Sequence, residues 1–118
     1  MVVIKKISNV IPIDFGEFQL EYNANDKGAK NLDSYRDDLS KRWEKISKLT
    51  DEEIAIQAME ITEEGWSRLF GPDAFPKVYQ FADEDTTIAF NYLLQAIFGI
   101  QKEYLERNSE DTLKKYLS

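Results

Sequence analysis

The sequence predicts a mainly α-helical domain, in which a small N-terminal β-hairpin precedes a bundle of three long helices and one short helix. Two patterns predict this fold class. Apolar and polar residues alternate within the first 24 residues, whereas from residue 29 onward apolar residues recur at spacings of three and four. With 118 residues, 42% of them apolar, the chain suits a single domain over residues 1–118. We expect a β segment at residues 1–24, a helical body at 29–108 and a loose tail at 109–118.

The β segment is predicted to contain two short strands. Residues 2–7 are rich in β-branched side chains, and residues 17–22 alternate strictly between polar and apolar types. Between these runs, Pro12 is expected at a strand edge and residues 14–16 in a turn. Because an isolated hairpin is marginally stable in water, it must pack on the helical body or pair with another chain. An exposed strand edge would be a route to assembly.

The first two helices have clear periodicity and clear ends. Residues 29–49 carry one apolar stripe between faces rich in charged residues, which is typical of an amphipathic helix. Thr50 and Glu53 have the spacing of a capping box, so a second helix is expected to begin there. Gly71 and Pro72 are expected to end that helix, because glycine accepts a left-handed conformation and proline cannot continue the hydrogen-bond ladder.

A short helix is predicted over residues 73–81, and the last long helix over residues 86–108. The acidic run of residues 83–85 precedes the last helix, where carboxylates favour the positive end of the helix dipole. Calcium binding is the alternative for this run. It lacks the spaced oxygen ligands and the closing glutamate of an EF-hand loop, so capping is favoured.

The last helix has more apolar positions than one buried face requires. Beside its main stripe, Phe90, Leu94 and Phe98 form a second apolar face that a surface helix would keep polar. Two explanations remain open. Either this helix is the central one, wrapped by the others, or part of it lines a groove for an apolar partner.

Composition excludes several classes of function. The chain contains no histidine and no cysteine, which removes Ser-His-Asp and Cys-His catalysis and the usual zinc, haem and iron–sulfur ligands. A net charge of −7 argues against binding to nucleic acid, which requires clustered basic residues. No stretch approaches the ~20 apolar residues of a membrane span. We therefore expect no enzymatic activity, no cofactor, no metal, no nucleic-acid or membrane partner, and a cytoplasmic location.

Charge is distributed unevenly along the chain. Residues 26–49 contain seven Lys and Arg against five acids, whereas residues 50–90 contain two against ten. Such asymmetry could favour head-to-tail association between copies, and ordinary solvated helix faces are the alternative.

Three features carry a resemblance to a known family. They are the segment IPIDFGEF at residues 11–18, a long charged helix after it, and the segment LFGPDAFPKVY at residues 69–79 before the final apolar helix. Together they resemble the small tail assembly chaperones of long-tailed siphophages of Gram-positive hosts, the lactococcal ones in particular. The core of the pattern is a glycine and two residue pairs, namely Gly71, Ala74-Phe75 and Val78-Tyr79. Pro76 departs from that pattern, where a charged residue is expected.

The resemblance implies a non-structural, non-enzymatic phage protein that coats the tape measure protein before the tail tube polymerises around it. In that family, copies of the chaperone self-associate around apolar helical segments of the tape measure protein and are displaced during assembly. The implied partners are the tape measure protein, further copies of the chain and the major tail protein. The implied location is the host cytoplasm, and the protein would not be retained in the mature virion.

A groove that captures such a helical client would be lined by apolar and aromatic side chains from the last helix and the segments before it. The candidates are Trp66, Phe70, Phe75, Tyr79, Phe90, Leu94 and Phe98. For each of them, ordinary core packing is the alternative. Two other classes of function also stay open: an acidic helical adaptor or inhibitor of a basic protein, and a minor tail component that remains in the virion.

Overall fold

A computed structural model describes residues 1–107, 113, 114 and 117. An antiparallel hairpin comes first, formed by β1 (Val10–Asp14) and β2 (Gln19–Asn23). Four helices follow: α1 (Asp26–Ile46), α2 (Asp51–Phe70), α3 (Ala74–Phe81) and α4 (Thr86–Arg107). This architecture confirms the predicted fold class. The predicted loose tail at residues 109–118 falls mostly outside the described residues.

The position of the first strand corrects the sequence prediction. Residues 2–7 lie outside the sheet, and β1 instead runs through Pro12, with Ile11 opposite Tyr22 and Ile13 opposite Leu20. Burial explains the choice, because the Ile11 side chain is only 2% exposed whereas the apolar side chains of residues 2–7 are at least 71% exposed. Alternating burial against the helices has overridden the higher β propensity of the earlier run.

The predicted ends of α2 are confirmed by both of its caps. The Glu53 amide donates to Thr50 Oγ1 over 3.4 Å, and the Thr50 amide donates to Glu53 Oε2 over 3.3 Å, which completes the capping box. At the other end, Gly71 follows the helix with a φ of +95°. Helix α1 begins earlier than predicted, because the Asn25 side chain caps it by accepting from the Gly28 amide over 2.8 Å.

A tight turn joins α3 to α4. Asp83 has a φ of +55°, and the Glu84 amide donates to the Tyr79 carbonyl over 2.8 Å. This is the Schellman motif, which ends many helices with a residue in the left-handed conformation. Asp85 then caps α4, because its Oδ1 accepts from the Ile88 amide over 3.1 Å. This contact agrees with the capping role predicted for the acidic run.

Replacing Asp83 by glycine is expected to stabilise the protein. Glycine has no Cβ penalty at positive φ, so Asp83→Gly should raise the free energy of unfolding by about 0.5 kcal/mol. Asp73→Gly is the matched control, since Asp73 has a φ of −85° and forms no side-chain cap hydrogen bond. Urea unfolding of the three proteins measures the difference. If Asp83→Gly and Asp73→Gly lower the free energy of unfolding by the same amount, the backbone of Asp83 is not strained.

The hairpin and the four helices share one core in a thin molecule. Trp66 lies at its centre, where it is fully buried and its indole N–H donates to the Ala89 carbonyl over 3.1 Å. Ile11 and Tyr22 bring the hairpin into this core. The molecule measures 64 × 31 × 19 Å, and its smallest dimension corresponds to about two helix diameters. Each helix therefore keeps one side toward solvent.

Tyr35 is an unusual member of the core. Its side chain is 1% exposed, and its hydroxyl has no hydrogen-bond partner among the described residues. Burial and the nearby Glu64 carboxylate raise the pKa of Tyr35 to about 12. The Arg68 guanidinium lies over the Tyr35 ring, 5.1 Å from its centroid.

The raised pKa predicts an alkaline loss of stability. The folded state holds the Tyr35 proton more tightly than the unfolded state, so the stabilisation is complete below pH 10 and is lost as the pH rises toward 12. Between pH 8 and 12, the wild-type protein should lose about 1–3 kcal/mol of its free energy of unfolding through Tyr35. Tyr35→Phe should not show this loss. At neutral pH the variant should gain about 1 kcal/mol, because it no longer buries an unpaired hydroxyl. Urea unfolding between pH 8 and 12 tests both effects, and parallel curves for the two proteins would contradict them.

Candidate functional site

Helix α4 is buried on one face only. The residues of its core face are Ala89, Leu93, Ala96, Ile97 and Ile100. On its second apolar face, Phe90 is half-buried, whereas the exposed fractions of Leu94 and Phe98 are 43% and 68%. These three residues are spaced by four, so they follow one stripe along the helix. The other elements therefore do not enclose α4, and an open apolar surface remains beside α1.

The seam between α1 and α4 contains a first apolar hollow, which we call the Trp43 hollow. It has a volume of about 460 Å³, and its walls include Leu39, Trp43, Phe90 and Leu94. The rings of Trp43 and Phe90 stack at the base, with centroids 5.4 Å apart and an interplanar angle of 15°. Trp43 remains 44% exposed, so it presents a large aromatic surface to a partner.

A second hollow lies further along the same seam and is called here the Leu32 hollow. It has a volume of about 260 Å³, and its walls include Leu32, Ile100, Tyr104 and Leu105. Leu105 is 67% exposed at the rim. We call the two hollows, together with the exposed Phe98 that lies between Leu94 and Ile100 along α4, the groove.

A polar bridge joins α1 to α4 in the wall of the Leu32 hollow, which includes Asp33, Arg36 and Gln101. Arg36 Nη1 donates to Gln101 Oε1 over 2.9 Å, and Gln101 Nε2 donates to Asp33 Oδ1 over 2.8 Å. Arg36 lines both hollows. At 1.5 Å per helical residue, the centres of the hollows lie roughly 10–16 Å apart along α1 and α4. This separation equals two to three turns of a helix, so one bound helix can place an apolar side chain in each hollow.

Ion pairs fix α1 on its opposite flank. Arg42 Nη1 lies 2.8 Å from Glu64 Oε2, and Arg68 Nη1 lies 3.6 Å from Asp38 Oδ2. Both pairs join α1 to α2 and are substantially exposed, so each contributes little to stability. None of these four charged residues lines either hollow.

The structure divides the seven predicted groove residues into two sets. Phe90 and Leu94 line the Trp43 hollow, and Phe98 follows them on the same stripe of α4. The other four, Trp66, Phe70, Phe75 and Tyr79, line neither hollow.

Those four aromatic residues pack on the side of α2 and α3. Trp66 is fully buried and Phe75 is 7% exposed. Phe70 packs against Trp66 with ring centroids 5.3 Å apart, and Tyr79 stacks on Phe75 with centroids 5.2 Å apart. In the single chain all four take part in aromatic packing, and Phe70 and Tyr79 are only partly buried.

Sequence reasoning missed Trp43 as a groove residue. It belongs to the apolar stripe of α1, whose other members Leu32, Tyr35, Leu39 and Ile46 are buried, so the helical pattern alone assigns it to the core. Its exposure depends on how α4 crosses α1. No signal within α1 specifies that crossing.

The chemistry of the groove suits an amphipathic helix. Two largely apolar hollows along one seam match a ligand whose apolar side chains recur along one face. Among the described residues, no group of His, Cys, Asp and Glu side chains is placed to hold a metal ion. In that same part of the chain, no helix has the length and apolar content needed to cross a lipid bilayer. Comparison with known proteins gives no match to a family model, to a curated protein or to a solved structure.

Proposed function

We propose that this protein is a phage tail assembly chaperone that shields apolar helical segments of a tape measure protein before the tail tube polymerises. The observation that carries the proposal is the open groove, where Trp43 and Leu94 line a hollow and Phe98 is exposed on the same stripe of α4 as Leu94. Among the described residues, none covers this apolar surface. A client helix would bury this surface together with its own apolar face. Both would then be removed from water, which is the driving force for capture.

Capture by such a groove is reversible. Each copy offers two shallow hollows, so a single contact is weak, and the client remains bound because many copies hold it at once. Displacement by the growing tail tube then needs to break only one weak contact at a time. The major tail protein, which forms the tube in this proposal, is the partner that replaces the chaperone.

The proposal also places the protein in the host cytoplasm, without enzymatic activity and outside the finished virion. Its partners are the tape measure protein, further copies of itself and the major tail protein. Mass spectrometry of purified particles tests the transient role. Stoichiometric recovery of the protein from virions would favour a structural tail component instead.

Co-expression with an apolar helical stretch of a tape measure protein tests the function directly. The client alone should precipitate, and with the chaperone it should remain soluble and elute in a common complex. The matched control is a client of the same composition with its apolar residues scrambled off one helical face. Equal recovery of both clients, or of neither, would contradict helix capture in the groove.

The salt dependence of binding distinguishes this function from an acidic adaptor or inhibitor. Apolar capture predicts an affinity that changes little between low and high salt, together with a negative heat-capacity change. An acidic inhibitor of a basic protein predicts steep weakening by salt. Isothermal titration calorimetry at two salt concentrations measures both quantities.

A further inference from the structure

The N-terminal segment, residues 1–7, is a second exposed apolar feature of the described residues. Its apolar residues Val2, Val3, Ile4 and Ile7 are between 71% and 90% exposed. Residues 1–7 take part in no hydrogen bond or ion pair with any described residue. Four of the six side chains in residues 2–7 are Val or Ile, three before the two lysines and one after them, a composition that favours a β-strand. The segment therefore has strand character but no strand partner among the described residues.

The outer edge of β1 is closed to such a partner. The Val10 amide donates to Ser8 Oγ over 3.2 Å, and the Val10 carbonyl accepts from the Arg107 guanidinium over 3.3 Å. Pro12, two residues on, has no N–H to donate. A further strand could form little of a ladder on this side of the hairpin.

The outer edge of β2 is open at Gln19 and Glu21. Hydrogen bonds join Phe15 to Phe18 and Ala24 to Asn9, and pairs in an antiparallel ladder alternate between bonded and non-bonded. By this alternation Gln19, Glu21 and Asn23 point their backbone groups away from β1. All three residues are exposed, but the Asn23 carbonyl lies against Gly28 at the start of α1. The outward groups open to another strand are therefore those of Gln19 and Glu21, which have no partner within the described residues. Such an edge is a template for strand addition.

We infer that residues 2–7 of one copy add as a third strand to the outer edge of β2 in a second copy. Charge complementarity supports this occupant. The donor segment contains Lys5 and Lys6, whereas the acceptor hairpin exposes Glu17 and Glu21. In a chain with a net charge of −7, a basic segment that meets an acidic edge reduces the repulsion between copies.

The donor segment cannot reach this edge in its own chain. Adjacent strands lie about 4.8 Å apart, so the new strand would lie roughly 10 Å from β1, on the far side of β2. Ser8 and Asn9 are held at the start of β1 by their hydrogen bonds to Val10 and Ala24. Crossing the sheet would use most of residues 2–7 and leave no strand to pair. A second copy removes this restriction.

The donor segment and the acceptor edge are different surfaces of one molecule. Their contact is therefore heterologous, and successive copies add head to tail into an open chain. This arrangement deepens the self-association included in the proposed function, because it would align the grooves of many copies along one client. Strand addition between copies does not involve the groove residues. A test can therefore contradict strand addition without contradicting client capture, and the reverse.

Charge-reversal substitutions in the donor segment and in the acceptor hairpin test the inference. The wild-type protein should associate at about 100 μM in low salt, as measured by sedimentation velocity, because exposed ion pairs are strongest there. Lys5→Glu/Lys6→Glu and Glu17→Lys/Glu21→Lys each place like charges together, so each variant alone should sediment as a monomer. Mixing the two variants restores opposite charges at both contacts and should restore association. Monomeric wild-type protein, association of either variant alone, or no gain on mixing would overturn the inference.

Removal of residues 2–7 is the second test. The deletion leaves the folded body intact, because these residues contact none of the core, and it should abolish association while the melting temperature stays unchanged. The deleted protein should still bind a client helix through its groove, with lower avidity than the wild type. Association that persists after the deletion would overturn strand addition. Failure of the wild-type protein to bind a client helix would overturn the proposed function alone.

Discussion

Replacing Leu94 and Phe98 together by glutamate is expected to abolish capture of an apolar helix while leaving the fold intact. Both side chains are exposed on the groove stripe of α4, at 43% and 68%, and a carboxylate there would be desolvated by a bound apolar face. Client binding should fall by more than about 100-fold, since two buried charges cost several kcal/mol. Pull-down of the co-expressed client and calorimetry measure the loss.

The matched control is Ile56→Glu. Ile56 is 60% exposed on α2, outside the groove, so the same type of substitution should leave client binding unchanged. All three substitutions lie on exposed helix surface, where such changes alter stability by roughly 0.5 kcal/mol. Unchanged binding by the double variant, or equal losses in the double variant and the control, would contradict the groove as the binding surface.

Gly65→Ala is expected to cause the largest loss of stability. Gly65 lies where α2 crosses α1 and α4, and a Cβ added there would collide with the Tyr35 hydroxyl and lie 2.6 Å from Leu93 Cδ2. Both neighbours are buried and have little room to move. Overpacking of this kind should lower the free energy of unfolding by about 3 kcal/mol, measured by urea unfolding.

A double-mutant cycle assigns that loss to its cause. Tyr35→Phe removes the hydroxyl that meets the new methyl group, so it should recover about 1 kcal/mol more in the Gly65→Ala background than in the wild type. Gly99→Ala is the control for glycine replacement in a helix, because a Cβ at Gly99 would meet no neighbouring atom within 4 Å. It should be neutral or stabilising, by up to about 1 kcal/mol. Strict additivity of Gly65→Ala and Tyr35→Phe would contradict the steric explanation.

Local signals made most of the fold predictable. The capping box at Thr50 and the stop at Gly71 depend only on neighbouring residues, so the ends of α2 could be assigned before its packing was known. The first strand was misplaced because residues 2–7 have the stronger β propensity, while burial selected the run through Ile11 and Pro12. Which of two candidate strands finds a partner is a tertiary property, and propensity alone cannot decide it.

The groove was only partly predictable for a similar reason. The excess of apolar positions on α4 predicts that Phe90, Leu94 and Phe98 cannot all be buried, because one helix face cannot cover them. In the structure Phe90 and Leu94 line a hollow, and Leu94 and Phe98 are exposed. Trp66 and Phe75 are likewise large aromatic residues in predicted helices, but contacts between helices bury them in the core. Trp43 was assigned to the core by its helical spacing, and it is exposed because α4 covers only part of its ring.

The two tryptophans provide the most direct test of the groove as the binding site. Trp43 is 44% exposed in the groove, whereas Trp66 is fully buried and its indole N–H is bonded to Ala89. In a ¹⁵N-labelled sample, each gives a separate indole N–H signal, which can be assigned with Trp43→Phe. Titration with an apolar client helix should shift the Trp43 signal and leave the Trp66 signal in place. Client binding that leaves Trp43 unchanged, or that moves Trp66 alone, would contradict the account.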